Sequence, residues 1–256
     1  FVPQALQCFR RQNYSRLELI VVDDGAQSVE PLLPPDPRIR FVRLPNKQCL
    51  GAKRNLACAM AQGEVIAHWD DDDWYPPDRI QSQVTALSRH QYAICGTSSL
   101  FFYEPQTGRA WQYRYQGGRP WVAGSTLAYR RSWWSAHHFA KIQTGEDSRF
   151  VWGAPARAVG DLHRPELCVA RIHDANTSRK TTHSSSWQPC AVSTLAALLG
   201  TDWPAFALPG GDAPCPAQPR VSCIMPTYNR RPFLPLALDA FLAQDYPDKE
   251  LVIVDD

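Results

Sequence analysis

Residues 17–25 read LELIVVDDG and residues 65–75 read VIAHWDDDDWY. In each, a short apolar run ends on consecutive aspartates, the pattern of a buried strand that carries acidic side chains to the end of a sheet. Outward from the first stretch, Ala5, Leu6 and Phe9 fall at helical spacing, so a helix precedes the strand at 17–22. Ile39 to Leu44 predicts a second strand. Leu50 to Ala61 puts Ala52, Leu56 and Met60 on one helical face, with Gly63 as the stop. After the second stretch, Pro76-Pro77-Asp78 starts a helix to about His90 with Ile80, Val84 and Leu87 inward. Strands alternating with helices predict an α/β fold, a mixed and mostly parallel sheet with helices on both faces. Ligands of such sheets sit outside the carboxyl ends of the strands, so Asp23-Asp24 and Asp70 to Asp73 are expected to face one crevice.

Composition narrows the classes. The chain has 256 residues, and 27 Lys and Arg against 25 Asp and Glu leave a net charge of +2. That balance excludes a polybasic nucleic-acid arm or an acidic tail as the main feature. Hydrophobic residues at 44% against 20% charged supply a packed core rather than a disordered chain. No run of 18 apolar residues exists to span a membrane. The eight cysteines form no Cys-x-x-Cys, which excludes a zinc ribbon or a thioredoxin-type site and suits a reducing cytoplasm. Any membrane association is expected from parts outside this sequence.

The chain repeats itself. Residues 1–24 and 233–256 align without a gap and are identical at 12 of 24 positions. Only the second copy is preceded by VSCIMPTYN, Val221 to Asn229. Between the copies, residues 200–220 hold five prolines and three glycines, the composition of a linker that excludes a helix. The expected organisation is one domain over 1–199, a linker over 200–220 and the truncated start of a second domain over 221–256, a fragment of a tandem protein.

Several clusters have the residue types that chemistry needs. Four adjacent carboxylates repel one another, and a divalent cation removes that cost; all-oxygen ligands select Mg²⁺ or Mn²⁺. A solvated acidic loop capping the next helix uses the same residues. An EF-hand loop is excluded by the missing Gly and distal Glu. Lys53 and Arg54 stand in the first turn of a helix, against its dipole, a placement that suits an anion such as a diphosphate, or two snorkelling side chains. Glu146-Asp147 follows an aromatic stretch that would desolvate a carboxylate and suit it to general-base work; it also reads as the acidic first turn of the helix at 148–152. His173 follows a strand at 167–172, where it could complete a metal site or contact phosphate. The tryptophans between 111 and 121 and at 133–134 suit either sugar stacking or core packing.

Taken together and in this order, PTYN (226–229), VDDG (22–25), GAKRN (51–55), GE (63–64), HWDDDDWY (68–75) and GED (145–147) resemble the family 2 glycosyltransferases of GT-A fold. The resemblance covers roughly residues 1–180 and resumes at 221. It implies a metal-dependent inverting transfer of a sugar from a nucleotide-diphosphate donor to a hydroxyl of a glycan or other acceptor, in surface glycan or polysaccharide synthesis. It implies Mn²⁺ or Mg²⁺ on Asp72, with Asp70 and His173 as further metal candidates. Asp23, Asp24, Lys53, Arg54, Asp70, Asp71 and Thr227 would contact the nucleotide sugar. Asp147 would be the catalytic base and Glu146 its supporting neighbour. The alternatives are a non-catalytic sugar-nucleotide or glycan-binding module and a nucleotidyltransferase, though no Gly-rich phosphate loop favours the latter. In the family a first strand lies between those ending at Asp23 and near Asp70. Val221 to Met225 is the copy of it here and is expected to insert there, bringing Thr227 near Asp23; pairing with 251–254 alone would refute this.

Overall fold

Pro3 opens the first helix, where its missing N–H costs no hydrogen bond; α1 (Val2–Arg10) buries Ala5, Leu6, Cys8 and Phe9. The computed structural model describes residues 1–208, 221–227, 231–242 and 249–255. After α1 come β1 (Leu19–Asp23), β2 (Ile39–Arg43), α2 (Leu50–Met60), β3 (Val65–Ala67), α3 (Arg79–His90), β4 (Ile94–Gly96), β5 (Ser99–Glu104) and β6 (Arg109–Arg114). They are followed by β7 (Ala128–Arg130), α4 (Arg131–Ala136), α5 (Glu146–Trp152), β8 (Val159–Asp161), β9 (Val169–Arg171), β10 (Trp187–Cys190), α6 (Val192–Leu199) and α7 (Trp203–Ala207). These belong to one unit, Phe1–Gly210.

Three sheets build that unit. β1 and β2 pair in parallel from Leu19↔Ile39 to Asp23↔Arg43. A second sheet has the order β3-β7-β4-β8, with β7 antiparallel to both neighbours and β8 parallel to β4. The third has the order β10-β6-β5-β9, antiparallel except for β5 with β9. The sheets are mixed, as expected, with less parallel pairing than the strand–helix alternation implied. Among the described residues β1 pairs only with β2 and β3 only with β7, and both border one cleft of about 1710 Å³. Leu19 to Val22, expected as a buried strand, are therefore only half-buried: one flank of β1 opens onto the cleft.

Two expectations are corrected. Residues 200–207, read as linker, are folded: a 3₁₀ turn at Gly200–Asp202 leads into α7, and Phe206 is buried. Pro204 sits in the first turn of α7, the one helical position that tolerates it. Asp202 binds this end back onto the unit, accepting from Arg11, from Trp74 Nε1 at 2.7 Å and from Gln7 Nε2 at 3.3 Å.

The second unit, Gly211–Asp256, contains β11 (Val221–Thr227), α8 (Leu234–Leu242) and β12 (Lys249–Asp255). β11 pairs in parallel with β12, from Val221↔Lys249 to Thr227↔Asp255. This is the alternative to the expected insertion beside β1. Loop-closure entropy favours the strand nearest in sequence over one some 200 residues away. Thr227 accordingly stands opposite Asp255, the repeat counterpart of Asp23.

Candidate active site

The floor of the cleft is the turn that follows β3. Arg79, fully buried on the first turn of α3, shapes it: Nη2 donates to the carbonyls of His68 (2.7 Å) and Ser125 (2.9 Å), while the guanidinium lies over the rings of Tyr75 (4.0 Å) and Trp69 (5.1 Å). Burying this cation under the aspartates offsets part of their mutual repulsion. Asp70 N donates to Tyr75 Oη at 3.0 Å. Burial and the charges of Asp72 and Asp71 push the Asp70 carboxyl up to about 6, against the opposing pull of Arg54. Asp71 is exposed.

The four aspartates divide by role. Asp73 is buried and turned to the scaffold, accepting from Arg171 N at 3.1 Å and from Cys168 Sγ at 3.5 Å. Burial, then Asp72 and Asp70, raise its pKa far above the carboxylate range. Asp72 meets a different element: its Oδ2 lies 2.9 Å from His173 Nε2 and accepts from Asn176 Nδ2 at 3.1 Å. Asn176 Oδ1 accepts from His173 N at 2.9 Å, and the Phe1 ring lies 4.7 Å from the imidazole, so His173 is held by its own turn.

The start of α5 also borders the cleft. Gly145 takes a left-handed conformation, φ 80°, which turns the chain into the helix. Glu146 is 2% exposed and pairs with Arg54 of α2, whose guanidinium also lies 5.8 Å from the Phe139 ring centroid. Burial raises the Glu146 carboxyl, and Arg54 opposes that shift. Asp147 borders the cleft, accepts from Ser148 N at 2.6 Å, and packs so closely on Gly124 that a Cβ there would lie 2.2 Å from Oδ2. Gly124 is itself fixed. Its carbonyl can only accept, so the 2.9 Å contact with His68 Nδ1 makes that nitrogen the donor, and Tyr129 Oη at 3.2 Å donates to Nε2. Burial and the nearby Arg54 and Arg79 keep His68 neutral.

Asp23 and Asp24, expected at the nucleotide, are committed within their loop. Asp23 accepts from Gly25 N (2.9 Å) and Val29 N (3.0 Å) and pairs with Arg43 at 2.7 Å. Burial would raise its carboxyl, but these donors hold it below the ordinary value. Asp24 accepts from Gln48 N and from Lys53 Nζ, both at 2.8 Å. Lys53 and Arg54, read as anion ligands, thus meet carboxylates of this chain, because α2 places them opposite Asp24 and Glu146. All of Asp23, Asp24, Lys53, Arg54, Asp70 to Asp73, Glu146, Asp147 and His173 border the one cleft.

Sequence reasoning missed Arg79, Gly124 and Asn176. Asn176 was within reach, three residues after His173 in a polar turn; Arg79 and Gly124 gain their roles from contacts remote in sequence. Among the described residues no three His, Cys, Asp or Glu form a closed metal cage. Asp72 Oδ2 and His173 Nε2 instead supply two converging donors, which fits an open site completed by ligand and water, and a mixed oxygen–nitrogen pair suits Mn²⁺ better than Mg²⁺. No described helix is long and apolar enough to cross a membrane, and all seven described cysteines are free.

A mixed α/β sheet with acidic turns at strand ends around one cleft defines the GT-A class of glycosyltransferase folds. S. aureus TarS 1–349 in complex with UDP-GlcNAc superposes with a TM-score of 0.53 at 15% identity, over 71% of this chain and 58% of that one. The complex of the same fragment with UDP gives 0.51 at 16% identity, over 67% and 56%. The model of glycosyl transferase family 2 matches residues 1–146 and 222–256, and the chain belongs to that family. Bacillus subtilis EpsH is 32% identical over 202 residues, 68% of this chain and 57% of that protein. The succinoglycan biosynthesis protein ExoO of Rhizobium meliloti is 33% identical over 163 residues, 59% and 44% respectively. The chain thus spans about half the length of these relatives.

Proposed function

We propose that the first unit transfers a sugar from a nucleotide-diphosphate donor to an acceptor hydroxyl with inversion, and that the acceptor is a growing surface glycan or polysaccharide. The observation that carries this reading is one cleft bordered by Asp70 to Asp72, His173 and Asp147 alike. A binding module has no need for a further carboxylate bordering the same cleft as the acidic turn.

In this reading Asp147 removes the proton from the acceptor hydroxyl as that oxygen attacks the anomeric carbon from the face opposite the diphosphate. Ser148 N and the Gly124 backbone hold the carboxylate in place. Glu146, pinned by Arg54, anchors the first turn of α5 to α2 and so sets the position of Asp147. Asp72 and His173 would hold Mn²⁺ or Mg²⁺, with Asp70 and Asp71 oriented to the ribose or to metal-bound water; bound there, the cation would supply Lewis-acid charge to the departing diphosphate. Lys53 helps hold the Asp24 carboxyl below its ordinary value, Arg54 opposes the burial-driven rise of Glu146, and Asp23 shapes the loop that would meet the base. The name of ExoO and the UDP-GlcNAc bound to TarS support the donor and product classes. The repeat at 233–256, together with the match at 222–256, supports reading the second unit as the start of another such domain, in which Thr227 and Asp255 take the nucleotide positions.

Calorimetry with UDP- and GDP-sugars, with Mn²⁺ or EDTA, tests the assignment. Binding of at least one donor that weakens at least tenfold on chelation and in Asp72→Ala is expected. Equal affinity in EDTA removes the metal assignment, and no donor binding removes the transferase reading. The anomeric configuration of the product, read by NMR, tests inversion.

A further inference from the structure

The tryptophans left open between sugar stacking and core packing separate in the structure. Trp111 and Trp134 are buried in the core, and Trp133 stacks on His137 at 3.6 Å. Trp121 and Trp187 are only half-buried and border the cleft.

Register explains the arrangement. Leu100 stands opposite Tyr113, Tyr113 opposite Trp187, and Phe102 beside Ala170. Opposed residues and residues two apart share a face of the sheet. All five border the cleft, so the β10-β6-β5-β9 sheet presents one face to it. On that face Trp187, Tyr113 and Trp121 form a row, Trp187 to Tyr113 at 5.2 Å and Tyr113 to Trp121 at 6.0 Å, backed by the buried Phe102, 4.6 Å from Trp187 and 6.4 Å from Tyr113. The row ends at the proposed base, because Trp121 Nε1 donates to Ser148 Oγ at 3.0 Å, one residue from Asp147. Phe102, at its back, stands beside Ala170 of β9, which leads through Arg171 to His173 of the cation site.

We propose that Tyr113, Trp121 and Trp187 form the acceptor subsite, and that it takes a pyranose ring of a saccharide chain. This inference rests on the transferase reading above and names the substrate class on the Asp147 side. Pyranose C–H faces pack on aromatic faces, while half-exposed rings leave the sugar hydroxyls in water. A sugar seated against Trp121 places its hydroxyls beside the helix that carries Asp147, where the acceptor proton must be removed. A peptide or lipid acceptor would not call for a row of separate ring platforms.

The test is retention on an immobilised array of hexopyranosyl oligosaccharides. Wild type is expected to bind at least one glycan, Trp187→Ala to lose about tenfold or more of that affinity, and Trp187→Phe to recover part of it. Trp121→Phe, which keeps a ring but removes the bond to Ser148, serves if the alanine variant unfolds, and is expected to weaken binding as well. Thermal melts report folding throughout. No glycan retained by wild type, or retention unchanged in the folded variants, overturns the subsite. Sugar-nucleotide binding by wild type, measured alongside, separates the two readings: donor binding with insensitive glycan retention removes only the subsite, and glycan retention lost in Trp187→Ala without any donor binding removes only the transferase reading.

Discussion

Replacing Gly124 with alanine should disable the base without unfolding the protein. The added methyl would lie 2.2 Å from Asp147 Oδ2 and 3.0 Å from Cγ. Ordinary contact begins near 3.4 Å, so the carboxylate must retreat by about 1.2 Å, and a misplacement of that order costs ~10²-fold in rate. The carboxylate, at the end of its side chain, is the part that moves. Asp147 is tied to Ser148 N, and Gly124 is held through its carbonyl by His68 Nδ1 and by Leu127 N. The glycine does not have positive φ, so alanine meets no backbone strain, and a lower unfolded-state entropy, ~0.4–1 kcal/mol, offsets part of the cost of moving the carboxylate. The expected result is a kcat reduced about 10²-fold, with donor KM within about threefold and Tm nearly unchanged. Asp147→Asn should cost ~10²–10⁴-fold, and the double variant should be no worse, because both act through one group. A folded Gly124→Ala enzyme with wild-type kcat would refute the base assignment or its seat on Gly124.

Other outcomes follow from named contacts. Arg54→Met should destabilise by about 3–5 kcal/mol in urea melts, because it leaves the Glu146 carboxylate buried and unpaired; adding Glu146→Gln should restore much of the loss. Asp23 has its folded pKa held below the unfolded value, so its contribution is present above the ordinary carboxylate range and lost as pH falls through the lowered folded pKa. Asp23→Asn should therefore be less stable than wild type at pH 7 and converge with it in acid, and a constant gap in Tm across pH would contradict this. Asp202→Ala strands Arg11 and Trp74 Nε1, and should lower stability by ~2–4 kcal/mol while freeing residues 200–207 to protease; an unchanged cleavage pattern would show that this end is held by packing alone.

The sequence by itself determined the α/β class, the order of elements through α3 and the arrival of an aspartate pair and a run of four aspartates at strand ends, because apolar periodicity and Gly/Pro punctuation are local signals. It also determined the repeat and, through six short motifs, the family. It could not say what each acid touches. Asp70 to Asp73 are adjacent in the chain, yet β9 engages Asp73, the His173 turn engages Asp72, and only the fold decides which carboxylate is left to the cleft. Lys53 and Arg54 read as anion ligands until α2 sets them against Asp24 and Glu146. The Pro-rich stretch read as linker until Asp202 reached Arg11, some 190 residues away in sequence. The strand at 221–227 could pair with either copy of its partner, and loop closure chose the nearer one. Trp111 and Trp134 are core while Trp121 and Trp187 line the cleft, one residue type in two environments set by the tertiary packing around each. In each case the deciding contact joins residues remote along the chain, and no local pattern encodes it.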